Sequence, residues 1–257
     1  MNFKFLNLSD HDIKKASREI KSEGFYVFDN LISGDIVETL KIFWKSKFEL
    51  LIKERPKANA VRGNLHLGEI DFDTFSNNEE WNIFRQFYFY WNKSEFNEIN
   101  LTKEISIELH KLRNLINKKF ESDAITYNEE GKGIYLSVSH YPPETGFLRP
   151  HSDEHPENKD SILQYMVNIT HKNIDYLDGG LFLIKEGNVI DIDLMLKPGS
   201  VIFFDGALEH GVKPVKSNSQ IGRIAFFAIP TYFIRNKDIP PFLRFLEKIY
   251  LGIQRRL

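Results

Sequence analysis

The sequence predicts an α+β fold, with a mainly helical first part and a β-rich core built as a sandwich or barrel. Three observations carry this. Apolar residues recur at helical spacing, with caps, through the first 121 residues. From about residue 133 the texture changes to short runs rich in β-branched and aromatic residues. Turn signals separate those runs, as a closed or two-layered all-β core requires.

The elements follow in order. Ser9 or Asp10 can cap a first helix that ends near Gly24, since a short polar side chain satisfies free N–H groups and glycine tolerates the left-handed exit. "FYVFD" is a short strand. A second helix starts at Ser33, runs through "DIVETLKIFWKSKFELLIKE" and is closed by Pro56. A third covers 101–120, with a threonine near its start. The strands are "IYLSVSHY", "ILQYMVNIT", "LFLI", "VIDIDL", "SVIFFD" and "RIAFFAIP". "DGG" at 178–180 supplies positive-φ residues, and "KPGS" at 197–200 fits a type II turn with Pro198 first and Gly199 second. "PPFLRFLEKIYLGIQRRL" reads as an amphipathic helix that packs on its own domain or, alternatively, lies on a membrane or pairs with a partner.

Composition excludes several function classes. With 257 residues the chain can bury a sizeable core, and a net charge of −2 gives no basic footprint for nucleic acid. There are no cysteines, so disulfides, zinc–thiolate sites, iron–sulfur clusters and a cysteine nucleophile are all ruled out. Any metal must be held by histidine and carboxylate. The start, "MNFKFLNLSDHDIKK", has no apolar signal core, and no run approaches the ~18 apolar residues of a membrane span. The default expectation is a cytoplasmic protein with no membrane partner.

The chemistry concentrates in "FLRPHSDEHP", 147–156. On a strand His151 and Asp153 point the same way and can offer one imidazole and one carboxylate to one ion. Taken alone, such a pair is also what a solvated surface turn contains. His210, 57 residues beyond Asp153 and just after a strand, is the best third ligand. Two histidines and a carboxylate on one face of a metal, with the opposite positions open, are the facial triad of non-haem iron(II) oxygenases. Arg223 follows 13 residues later and leads a strand too apolar to be exposed, so it needs an anionic partner. His155 reads as solvated or substrate-facing, because Pro156 ends the strand; His140 and His171 read as structural or exposed.

"HYPPETGFLRPHSD", "GGLFLI", "KPGSVIFFDGALEHGVKPV" and "GRIAFFAIP" together resemble the iron(II)- and 2-oxoglutarate-dependent oxygenase superfamily. The region 133–232 resembles its prolyl-hydroxylase branch, and "GFYVFDNLISGDIVETL" resembles the start of phytanoyl-CoA-dioxygenase-type members. The resemblance implies a double-stranded β-helix (jelly roll) with Fe(II) at its open end. It implies His151, Asp153 and His210 as metal ligands, and Arg223 as the residue gripping the distal carboxylate of 2-oxoglutarate. Tyr141 is implied as a second hydrogen-bond partner of that carboxylate or, equally, as a core aromatic. Gln164, Met166 and Asn168 share one strand face; Gln164 or Asn168 reaches the cosubstrate or serves as ordinary polar core. The expected reaction consumes O2 and 2-oxoglutarate, releases succinate and CO2, and hydroxylates a small polar molecule. Asp153 favours hydroxylation, since halogenating relatives carry a small residue there. Desaturation and ring closure stay open, as do a protein side chain as substrate and a sensor without turnover.

One domain over 1–257 is expected: 1–132 as mainly helical support with a possible lid, 133–232 as the jelly-roll core, and 233–257 as the C-terminal helix. The segment 56–98 carries ten aromatics with Arg62, His66 and Arg85. It is either scaffold against the sheet or a cover over the iron mouth. In the second case Arg62 and Arg149 contact substrate; otherwise Arg149 is a surface ion pair.

Overall fold

The computed structural model describes residues 8–54, 71–123, 125, 132–153, 162–232 and 242. Arg62, His66, His155 and nearly all of the expected C-terminal helix lie outside these residues.

The elements are α1 (Asp10–Glu23), β1 (Phe25–Phe28), α2 (Gly34–Glu54), β2 (Phe72–Asn77), β3 (Trp81–Phe89), α3 (Asn97–Ile116), β4 (Lys132–Tyr141), β5 (Phe147–His151), β6 (Leu163–Asn168), β7 (Asp178–Lys185), β8 (Asn188–Asp191), β9 (Val201–Asp205), β10 (Glu209–Lys216) and β11 (Arg223–Tyr232). The strands form one curled antiparallel sheet in the order β1-β9-β6-β11-β4-β3-β5-β10-β7-β8, with β2 on β3. This is a jelly roll in an α+β chain. Its two arms, β1-β9-β6-β11-β4 and β5-β10-β7-β8, meet through β3, which pairs with β4 along Phe84–Phe89 and with β5 at Trp81 and Asn82.

Strand alternation sends the side chains to two faces of the sheet. Tyr165, Val167, Phe203, Ile224 and Phe226 face the helices, where Trp44 and Phe48 of α2 and Ile105 and Leu109 of α3 bury against them. Their neighbours Met166, Ile202, Phe204 and Ala225 face the other way and pack with Leu181, Leu183 and Ile192. The second cluster is the interior between the arms, and it is the one that bears on function.

Local chemistry explains the element ends. Ser9 caps α1 in a reciprocal capping box with Asp12, and Gly24 ends it at φ 85°. Gly199 has φ +88°, the Ser200 N–H donates to the Lys197 carbonyl at 2.9 Å, and a Cβ on Gly199 would sit 2.2 Å from the Ile32 carbonyl. The Pro-Gly turn is thus the type II turn expected, and it closes onto the loop before α2. The third helix begins earlier than expected, at Asn97, with no side-chain cap bond. Thr102 is not a cap but lies inside the helix, accepting from Trp44 Nε1 at 3.2 Å and donating to the Glu98 carbonyl at 2.7 Å.

Besides its three helices, the first half gives the sheet β1, the strand expected at "FYVFD", and β2 and β3, where no strand was expected. The described part of the aromatic segment is a hairpin rather than a lid. Its densest run, Trp81–Phe89, is a strand inserted between β4 and β5. Its aromatics pack within the sheet, Phe87 against Phe72 at 4.6 Å and Phe84 against Phe75 at 4.2 Å between ring centroids. Large aromatics favour a pleated, half-buried surface, which is why β3 is a strand.

Candidate metal centre

β5 and β10 run antiparallel with His151 directly opposite His210. Asp153 follows two residues past His151, where its N–H donates to the Gly206 carbonyl at 2.8 Å. The three side chains converge. His210 Nε2 lies 3.4 Å from one Asp153 oxygen and His151 Nε2 lies 4.0 Å from the other. One ligand atom from each residue lies within 4.8 Å of the others, and among the described residues this is the one such group of metal-ligating side chains.

The orientation of both rings is fixed from behind. His151 Nδ1 is 2.9 Å from the Arg149 carbonyl, and His210 Nδ1 is 2.8 Å from the Leu208 carbonyl. A carbonyl only accepts, so each Nδ1 carries a proton, and Nε2 is the ring atom turned to the shared point. Phe204 packs edge-on against His210 at 5.2 Å, limiting rotation of that ring. Gln164 Nε2 donates to Asp153 Oδ2. Burial pushes the Asp153 carboxyl up, but the hydrogen bond and charge of His210, the charge of His151 and the bond from Gln164 outweigh it and hold the group below the usual carboxylate range. A carboxylate beside two imidazoles that each turn Nε2 toward it is a donor set that suits a divalent cation. His210 is nearly buried at 6% exposure, while His151 and Asp153 are open at 37% and 38%, so the group sits at a rim with access from solvent.

β6 connects this rim to Arg223. Gln164, Met166 and Asn168 line one face of the strand: Gln164 touches Asp153, while Met166 Sδ and Asn168 Oδ1 lie 3.1 and 2.7 Å from Arg223 Nη2. At ~3.4 Å per residue, Gln164 and Met166 are separated by ~7 Å along the strand. Arg223 is cross-strand partner to Tyr141, with its guanidinium carbon 5.6 Å from the centre of that buried ring. The anionic partner that a buried arginine demands belongs to the chain itself. Asp193 receives Nε at 2.5 Å and Nη2 at 3.1 Å, and both side chains are fully buried. The sequence predicts "VIDIDL" as one strand, but β8 stops at Asp191 and Asp193 lies in the following turn, so its alternation does not reveal this partner. The signal was available in the need of Arg223 for a counter-charge.

Arg149 lies at the surface beside Glu80. Its side chain is 55% exposed and 3.5 Å from Glu80. His140 is buried between Phe48 and Phe84, with ring centroids 5.0 and 5.8 Å away, and His171 is buried beside Asp175. Both lie away from the metal-ligating group.

Residues 136–228 match the family described as the 2OG-Fe(II) oxygenase superfamily. No curated protein matches the sequence. Among solved structures, a putative oxygenase from Shewanella oneidensis superposes with a TM-score of 0.54 at 15% identity, covering 96% of this chain and 97% of its own. A Pseudomonas putida prolyl-4-hydroxylase gives 0.53 at 14% identity, covering 87% and 99%. EctD from S. alaskensis, solved with 2-oxoglutarate and 5-hydroxyectoine, gives 0.50 at 16% identity, covering 88% and 78%. At these identities the structures speak for the shared fold. The family that matches uses Fe(II) and 2-oxoglutarate, and the His151–Asp153–His210 group has the donor set that such an ion takes. On that match, residues 136–228 of this chain are similar to the 2OG-Fe(II) oxygenase superfamily.

Proposed function

We propose that this protein is a 2-oxoglutarate-dependent Fe(II) dioxygenase that hydroxylates a small polar molecule. The observation that carries the reading is the pair of rings whose Nδ1 atoms are bonded to backbone carbonyls and whose Nε2 atoms turn to Asp153. Iron and 2-oxoglutarate supply the oxidising chemistry when bound, taking up O2 and releasing succinate and CO2. His151, Asp153 and His210 would hold the ion, and Gln164 keeps the carboxylate of Asp153 turned toward it. Arg223 would receive the distal carboxylate of 2-oxoglutarate: it stays charged when buried, and its Nη1 is a buried donor with no partner among the described residues. Tyr141 flanks that position. Met166, Leu183, Ile192 and Phe204 wall the interior with apolar surface, which excludes water from reactive groups. Arg149, at the rim two residues from His151, is the candidate contact for an anionic group of the substrate.

A protein side chain as substrate is the second reading, and the exposure of His151 and Asp153 favours it, since a polypeptide needs an open mouth. Succinate formation with Fe(II), O2 and 2-oxoglutarate, measured against a panel of small metabolites and a panel of peptides, tests both readings. Metabolite-dependent succinate supports the first and peptide-dependent succinate the second. No succinate from any combination, in protein shown to bind metal, would overturn both.

A further inference from the structure

The guanidinium of Arg223 is already occupied along one edge. Nε and Nη2 face Asp193 at 2.5 and 3.1 Å, and Nη2 also donates to Asn168 Oδ1 at 2.7 Å and touches Met166 Sδ at 3.1 Å. Asp193 is as fully engaged. Its Oδ2 accepts from the Tyr176 hydroxyl at 2.5 Å and the Leu181 N–H at 3.0 Å, and its Oδ1 from Asn168 Nδ2 at 2.8 Å. Gly180, at φ +101°, leaves room for it; a Cβ there would fall 2.2 Å from Asp193 Oδ2. Only Nη1 of the guanidinium lacks a partner among the described residues, and it is buried. A carboxylate arriving at Arg223 therefore meets a cation that is already neutralised, with one amino group free to donate.

We infer that Asp193 is a resident counter-anion that shares Arg223 with the cosubstrate, and that it sets how strongly the site prefers a dicarboxylic 2-oxo acid over a monocarboxylic one. This rests on the reading of Arg223 as the cosubstrate's anchor. The reasoning is electrostatic. Arg223 attracts the incoming carboxylate and Asp193 repels it from a few ångströms further away, in an interior where charges are weakly screened. Removing the Asp193 charge while keeping its shape leaves the buried guanidinium with no full counter-charge, and the ligand then supplies it. A side chain of purely architectural value behaves in the opposite way: losing it loosens Arg223 and weakens every ligand.

The test uses the full chain loaded with Mn(II) in place of iron. Calorimetry measures the affinities for 2-oxoglutarate and for 2-oxopentanoate, which keeps the 2-oxo acid end but ends in a methyl group. In Asp193→Asn the affinity ratio of 2-oxoglutarate to 2-oxopentanoate should rise by ~10-fold or more, through tighter 2-oxoglutarate binding. An unchanged or lower ratio overturns the inference. Arg223→Gln separates this from the underlying reading. If Arg223→Gln keeps the parent ratio, Arg223 is not the anchor and both fall. If Arg223→Gln abolishes the preference while Asp193→Asn leaves it untouched, only the role of Asp193 falls. Should Asp193→Asn not fold, Tyr176→Phe carries the test. It keeps both charges and strips one hydrogen bond from the Asp193 carboxylate, so that more of the charge bears on Arg223 and the ratio should drop severalfold. A ratio unchanged or raised in Tyr176→Phe overturns the inference equally.

Discussion

The Arg223–Asp193 pair makes a sharp stability prediction. Both side chains are fully buried, and their closest contact is 2.5 Å. With charge centres ~4 Å apart and an effective dielectric near 20, their attraction is ~4 kcal/mol. Truncating one partner of such a pair costs roughly 3–5 kcal/mol, because the survivor stays buried and uncompensated. Arg223→Met and Asp193→Leu should each lose about that much. The double variant should lose far less than their sum, since no lone charge remains, although Tyr176, Asn168 and the Leu181 N–H then lack an acceptor. The expected coupling in a double-mutant cycle is ~3 kcal/mol. Urea unfolding of the four proteins at pH 7 without ligand measures it. If the double variant equalled the sum of the singles within about 0.5 kcal/mol, the two groups would not be acting as a pair, and the picture of a neutralised Arg223 would be refuted.

Three further predictions follow from particular contacts. His151→Ala, Asp153→Ala and His210→Ala should each abolish Mn(II) binding by calorimetry, whereas Gln164→Leu, which removes only the bond that orients Asp153, should weaken it by ~10–100-fold; undiminished binding in His210→Ala would displace that residue from the ligand set. Burial pushes His140 down to about 3 from an ordinary value of 6.5, so it folds as the neutral form. Its stabilising contribution is complete above the unfolded value and is lost as pH falls below it, by roughly 2 kcal/mol between pH 7 and pH 5; His140→Phe should shrink the pH dependence of urea unfolding by that amount, and an unchanged slope would place the titration elsewhere. Gly180→Ala puts a methyl group 2.2 Å from Asp193 Oδ2 at a φ of +101°, so it should cost more than the ~1–2 kcal/mol of left-handed strain alone, read as a lower urea midpoint.

Much of this was legible in the residue order because it depends on local rules. The capping box at Ser9, the Pro198–Gly199 turn and the positive φ of Gly179 and Gly180 are set by a few neighbouring side chains. The alternation in β6 was legible too, since a strand sends Gln164, Met166 and Asn168 to one face whatever that face meets. The grouping of His151 and Asp153 was legible from strand alternation and a search for a third ligand, although β5 ends at His151 and Asp153 lies just past it.

What the tertiary structure alone decided is pairing. Nothing local marks Trp81–Phe89 as the strand that joins the two arms of the sheet, because an aromatic run satisfies a sheet and a cover equally well; only the edges left by β4 and β5 choose between them. The composition of "VIDIDL" does not say that the chain turns after Asp191 and delivers Asp193 to an arginine 30 residues away. The sequence by itself determined that Arg223 is buried and must be neutralised, since an unpaired guanidinium in an apolar interior is too costly. Which anion neutralises it is a matter of long-range register, and that is set by how eleven strands close on one another.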